Sequence, residues 1–238
     1  MEYRSTKTLS YLSLAGLGVQ GVCHVLSLAI GIAIAFGASG KIKLDTDDVS
    51  IWVIAAGLVG LVQFPAYIFT VVVFLMWLNR VYKNTDSLGA GPLSNTSGWA
   101  VGWWFIPFGN LVKPFQVVRD AWVANDPATP VDDRMFTQVG GGAPTYMAAW
   151  WGFWIAANIL SNISSRIFDA ESLNGGGSNV GLLLVGEGIF WIAATLLAVK
   201  VVLDITARQE TLSAISRHRI ISEPPPPPTF AAEQGPNT

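Results

Sequence analysis

The chain has 238 residues, a formal net charge of −2, and charged side chains at only 13% of positions. That is about half the roughly 25% usual in soluble domains; with a mean hydropathy of +0.46, it excludes an ordinary water-soluble globule. A pI near 5.6 leaves no basic footprint for nucleic acid. The single cysteine, Cys23, excludes a disulfide within this sequence or a thiolate zinc cluster.

Four stretches are almost free of charge: Thr8–Gly40, Val49–Leu78, Met135–Ser165 and Ser172–Val199, with Glu187 the one formal charge inside them. Each exceeds the approximately 20 residues an apolar helix needs to cross a bilayer. Backbone groups in lipid must pair within the structure, which leaves helices or closed barrels. Barrel strands alternate polar and apolar residues, and these runs do not. The predicted fold class is therefore all-α: a polytopic membrane protein with four transmembrane helices. Helices are expected near 8–37, 49–84, 145–168 and 179–218, with spans at about 9–36, 50–78, 145–167 and 180–203 in one domain, 1–220. Leu9–Phe36, at 28 residues, is too long for the 7–15-residue core of a secretory signal and reads as a retained first helix.

Positive charge sets the expected sidedness. Arg4 and Lys7, then Arg80, Lys83, Lys113, Arg119 and Arg134, then Lys200, Arg208, Arg217 and Arg219 make 11 of the 14 Lys and Arg residues. They fall on one side if both termini are cytoplasmic, as the positive-inside rule favours. The expected location is a membrane crossed several times, with both termini on the cytoplasmic side. Asp45, Asp47 and Asp48 then lie in an outer loop, read as solvated.

Ser97–Val112 is uncharged, but as a helix it would reach only about 24 Å of a roughly 30 Å core. Gly98, Gly102 and Gly109 loosen it, and Pro107 breaks or kinks a helix. It is expected to lie along the interface or to dip in and return, with Trp99, Trp103, Trp104 and Phe105 under the helix ends. Asn79, Arg80, Asn84 and Asn110 are expected to satisfy the backbone groups freed by the bend. Phe115, Val118 and Trp122 then recur at helical spacing opposite Gln116, Arg119 and Asp120, which predicts an amphipathic surface helix; the interfacial segment as a whole spans 97–123.

Trp77, Arg80 and Asn84, the block Gly102-Trp103-Trp104-Phe105-Ile106-Pro107, Asn110-Leu111, Pro114 and Arg119 resemble the hallmarks of bacterial domain-of-unknown-function family 4328. Trp150-Trp151 and the run Val202–Gln209 share that pattern. The resemblance implies a bacterial membrane protein of four or more helices. It implies no reaction, substrate or site.

Polar residues at helix depth are the best candidates for chemistry. Ser13, Gly16, Gln20, His24, Ser27 and Gly31 form one small-and-polar seam; Ala56, Gly60, Gln63, Tyr67 and Thr70 form a second. Asn158 and Asn162 lie one turn apart, and Glu187 precedes Trp191 by one turn. Depth along the helices pairs His24 with Gln63, and Glu187 with Asn158 or Asn162, in two layers. An ionisable residue in a span is a functional hypothesis because lodging it there is costly. The bland readings are a satisfied core imidazole for His24 and a structural role for Glu187.

No phosphate-binding glycine–lysine loop, Gly-x-Ser-x-Gly elbow or His-Glu-x-x-His motif occurs, so the sequence predicts no enzyme, cofactor or metal. Predicted partners are the lipid bilayer and other membrane subunits, or self-association. The Pro224–Pro228 tail, within a disordered segment at 221–238, reads as a stiff extension that can dock in a proline-binding groove. The leading expectation is a non-enzymatic membrane scaffold or accessory subunit. A small proton-coupled transporter or channel using Glu187 and His24 is the first alternative. A sensor recruiting a partner through the tail is the second.

Overall fold

The uncharged stretches fold as helices, and charged or proline-bearing text separates them. The computed structural model describes residues 3–33, 35, 51–88, 93–129, 142–174 and 178–222. Residues 45–48, expected in an outer loop, and the Pro224–Pro228 tail lie outside the described residues. In chain order the helices are α1 (Lys7–Ile32), α2 (Ile51–Ser87), α3 (Ser97–Gly102), α4 (Lys113–Ala124), α5 (Thr145–Asn174) and α6 (Ser178–Ser222), with 3-10 turns at Trp103–Phe105 and Gly109–Leu111. The protein is all-α, with no strand among the described residues.

Three helices are long and apolar enough to cross a membrane among the described residues: Lys7–Ile32, Ile54–Ser87 and Gly181–His218. The fourth expected span, α5, has the length but is diluted by Asn158, Ser161, Asn162, Ser164, Ser165 and Arg166. At 45 residues α6 extends about 68 Å, far more than a bilayer core, so only part of it is needed for a crossing.

The long helices stand in a row, α2–α1–α6–α5, each packed on the next. Small residues set the close approaches within the row. A Cβ on Gly16 would collide with the Thr70 hydroxyl across α1 and α2. One on Gly31 would meet Leu184 Cβ of α6 at 3.0 Å. The helix-one seam is therefore a packing surface, with Ser13, Gly16, Gln20, His24 and Gly31 all buried. The seam expected on helix two is buried only at Thr70; Ala56, Gly60 and Tyr67 are exposed because α2 stands at the end of the row.

α2 and α5 are bridged at the Lys/Arg-rich end by the intervening segment, and the hydrophobic core concentrates there. Trp77, Leu78, Val81, Val117, Val118, Ala121, Met147, Val201, Val202 and Ile205 have no accessible surface. The expected surface helix is thus corrected. α4 is amphipathic, but its inner face is Pro114, Val117, Val118 and Ala121, a wedge inserted between α2, α5 and α6. Phe115 and Trp122, expected on that face, are half-buried at its margins.

Beneath the wedge sits a charge-free polar knot. Gln209 is fully buried; its Nε2 donates to Val81 O at 2.8 Å and Asn125 Oδ1 at 3.1 Å, and its Oε1 accepts from Asn84 Nδ2 at 3.3 Å. Asn84 also donates to Arg4 O at 2.7 Å and accepts from Arg4 N at 3.2 Å. Asn84 therefore fastens the N-terminal segment rather than the Pro107 bend. Gln209→Leu removes one member and leaves the buried Asn125 Oδ1 without its donor, a loss of about 1–3 kcal/mol given what an unsatisfied buried polar group costs. A thermal midpoint in detergent equal to that of the wild type would contradict this assignment.

A second clasp holds the same segment. Tyr3 Oη and Ser5 Oγ donate to Glu210 Oε1 at 2.9 and 2.6 Å, and Lys7 Nζ lies 3.4 Å from Oε2. Glu210 lies beyond the expected span at 180–203. Burial pushes its carboxyl up, but the bonds from Ser5 and Tyr3 and the charge of Lys7 together hold it below the usual carboxylate range. A carboxyl depressed on folding adds stability above its unfolded pKa and loses it as pH falls through the folded pKa. Glu210→Gln should therefore lower the thermal midpoint near neutrality, and the gap from wild type should close as pH falls below about 4.5, the ordinary carboxylate value. A gap that stays constant with pH would remove the charge from this account.

Candidate functional site

Toward the far end of the bundle, away from the wedge, the row stays open between α2 and α5. Inward-facing side chains of all four long helices line a cleft of about 620 Å³ there. Its polar residues form one connected chain. Ser161 Oγ of α5 donates to Glu187 Oε1 of α6 at 2.6 Å, and Trp191 Nε1, one turn on from Glu187, donates to Ser161 Oγ at 3.1 Å. The Trp191 ring stacks on His24 of α1, centroids 5.3 Å apart and planes at 7°. His24 Nδ1 lies 3.4 Å from Gln63 Nε2 of α2, and Gln20 Nε2 donates to Gln63 O at 3.1 Å. An amide nitrogen can only donate, so Nδ1 accepts and the neutral imidazole proton is assigned to Nε2.

The sequence paired these residues by depth, and the geometry amends that pairing. His24 does meet Gln63. Glu187 meets Ser161 rather than Asn158 or Asn162, whose side chains bond back to their own helix: Asn158 Nδ2 to Trp154 O at 2.7 Å and Asn162 Nδ2 to Asn158 O at 2.8 Å. Asn158 lines the cleft, whereas Asn162 is exposed. The two expected layers are one, since Trp191 touches both. Ser161 escaped the sequence reading although it sits three residues after Asn158 on the same helical face, and that spacing was the available signal.

The cleft floor is the tryptophan-rich segment. Trp104 packs edge-on against Phe74, Trp151 and Trp154, with centroids at 5.4, 5.7 and 6.4 Å, and Trp151 stacks on Trp154 at 4.7 Å. Asn79 Nδ2 donates to Ser97 O at 2.8 Å, at the start of α3 and ten residues before Pro107, so it holds the entry to the segment rather than the bend. Two bonds the sequence did not suggest also hold the segment: Trp103 Nε1 to Asn95 Oδ1 at 2.9 Å and Trp151 Nε1 to Leu111 O at 2.8 Å. The helix stops at Ile106, whose backbone turns extended at φ −94° and ψ 114°, and Pro107 forms the following turn.

Other members of the expected interfacial block scatter. Trp77 is a core residue whose Nε1 donates to Thr206 Oγ1 at 3.0 Å. Arg80 is half-buried without a hydrogen bond or ion pair among the described residues, and Arg119 pairs with its neighbour Asp120 at 3.0 Å. Neither contributes to the bend. Pro114 begins the buried face of α4. Trp99 and Phe108 are exposed, and Phe105, also exposed, borders the cleft. Asn110 borders the cleft, and its Oδ1, like Trp104 Nε1, is buried without a partner among the described residues. Among the described residues no three His, Cys, Asp or Glu side chains gather as a metal site.

The sequence profile described as Domain of unknown function (DUF4328) matches residues 41–207. The chain belongs to this family. The match takes in the tryptophan block, Gln63, Ser161, Glu187 and Trp191, and stops short of α1, which supplies His24 and Gln20 to the cleft. Comparison with curated proteins and with solved structures gives no match.

The weight of the His24 contacts can be apportioned. His24→Ala removes both the stack on Trp191 and the amide contact, whereas His24→Phe keeps a ring and loses only the amide contact. Ring stacking is worth about 0.5–1.5 kcal/mol beyond area burial, so the alanine variant should lose more thermal stability in detergent. A larger loss for phenylalanine would place the weight on the Gln63 contact.

Proposed function

We propose that this is a non-enzymatic, four-span protein of the bacterial cytoplasmic membrane, with both termini inside, that binds a small molecule in the cleft and carries it. This is the transporter alternative, here preferred to a scaffold or accessory subunit. One observation carries it: a cleft of about 620 Å³ at span depth, lined by Gln20, His24, Gln63, Asn158, Ser161 and Glu187 as well as by aromatic rings. Small-molecule sites are concave, mostly apolar clefts of roughly 300–1,000 Å³ with a few convergent polar groups. A purely structural polar contact would be expected to close on itself, whereas this chain borders open volume.

The non-enzymatic reading rests on the lack of any catalytic motif in the sequence. α5 is taken as the fourth span because it packs on α6 and turns Asn158 and Ser161, with Trp150 and Trp154, to the cleft, as suits a helix lining a pathway. The broken segment at 97–112 supports the same reading, since discontinuous backbone at membrane depth is tolerated where it lines a cavity. The scaffold reading keeps its place through the exposed apolar face of α2, and it makes a different forecast for the cleft.

Accessibility to a water-soluble thiol reagent separates the two. In a Cys23→Ser background, Tyr67→Cys lies on the cleft, and Ile68→Cys on the same helix points away from it. A carrier should react at position 67 and not at 68 in native membranes. Equal inertness at both positions would overturn the carrier reading in favour of a cleft filled by another membrane segment.

A further inference from the structure

We propose that the cleft is a binding site for a lipophilic organic cation, with Glu187 as its counter-ion and tryptophan rings as its walls. The inference rests on the cleft being a binding site and adds the class of ligand.

Charge points to a cation. Among the described residues Glu187 is the one formally charged side chain on the cleft lining; its polar neighbours Gln20, Gln63, Asn158 and Ser161 are uncharged, and the imidazole proton of His24 is assigned to Nε2 by the Gln63 contact. Among the described residues no Lys or Arg pairs with Glu187, the ion pairs lying elsewhere in the fold. Ser161 fills one lone pair of Oε1, which leaves Oε2 without a hydrogen-bond donor among the described residues. A carboxylate at span depth is expensive unless a positive group meets it.

The walls point to a lipophilic, delocalised cation rather than a hydrated metal ion. Trp104, Trp150, Trp154, Trp191, Phe64 and Tyr67 present aromatic rings to the cleft, and the faces of such rings attract organic cations within about 6 Å. The opening between α2 and α5 gives such a molecule lateral entry from the bilayer. The floor adds a dimension: Ser161 lies seven residues beyond Trp154, about 10 Å along α5, so the carboxylate and the Trp104 floor sit at opposite ends. Trp104 Nε1 and Asn110 Oδ1 are unpartnered at that floor among the described residues. The ligand class this fits is positive at the end that meets Glu187 and apolar toward the aromatic floor.

The test uses the full-length protein in non-ionic detergent near neutral pH and two probes of the same shape and opposite charge, tetraphenylphosphonium and tetraphenylborate, measured by equilibrium dialysis. The wild type should bind the phosphonium at least about tenfold more tightly than the borate, as a charge-assisted contact requires. Glu187→Gln should abolish that preference, and Glu187→Asp, which keeps the charge, should retain most of it. Equal binding of the two ions by the wild type overturns the proposal whatever the variants do, so a misfolded Glu187→Gln leaves it decidable. A variant that folds with an unchanged preference overturns it too. Failure of the carrier reading would show separately, as selective binding without phosphonium uptake into proteoliposomes; that outcome leaves the cation site supported.

Discussion

The insertion of α4 between α2, α5 and α6 determines the shape of the rest of the molecule. Val117, Val118 and Ala121 are completely buried, and the burial of apolar surface at roughly 25 cal/mol per Å² makes this wedge hard to dislodge. Tyr82 Oη on α2 anchors it by donating to Val117 O at 2.8 Å. With the wedge in place, α2 and α5 are held apart at one end and have no helix between them at the other. A bundle of four helices would ordinarily close around its core; this one is closed at its Lys/Arg-rich end and open beyond it. The cleft is the space the wedge leaves above itself.

That geometry divides the polar residues into two kinds. Gln209, Asn84 and Asn125 sit under the wedge, where each amide finds partners within the protein and none faces a cavity. Such satisfied networks rigidify a core. Above the wedge the same residue types behave differently. Trp104 Nε1 and Asn110 Oδ1 stay unpaired, and Glu187 has one hydrogen bond among the described residues. Thr6 Oγ1 and Ser164 Oγ are likewise buried without a partner among the described residues, so what sets the cleft apart is that its under-paired groups lie beside open volume.

The sequence made the helices plain because hydropathy over 20 or more residues is a strong signal and needs no tertiary information. His24 with Gln63 was legible for a related reason: depth along straight helices is simple arithmetic. Glu187 was given the wrong partner. Choosing between Asn158 and Ser161 needs the rotation of α5 about its axis, which its packing on α6 decides and hydropathy does not. The inner face of α4 failed for the same reason, since Phe115, Val118 and Trp122 and the true set Pro114, Val117, Val118 and Ala121 differ by a partial turn. Gln209 belonged to the quoted Val202–Gln209 pattern, yet nothing in the linear text distinguishes a buried glutamine from a solvated one at a span exit.

Trp191 gives the cleft its unity. Its indole N–H fixes Ser161, Ser161 fixes Glu187, and its ring face fixes His24 and through it Gln63. The contacts from the carboxylate through Ser161 to the indole that stacks on α1 are contiguous, which coupling between the two helices would require. Gln63 lies on α2, which borders the lateral opening on the side opposite α5. The chain from Glu187 to Gln63 thus spans the cleft from one rim to the other, so occupancy beside the carboxylate is in contact with both helices that bound the opening.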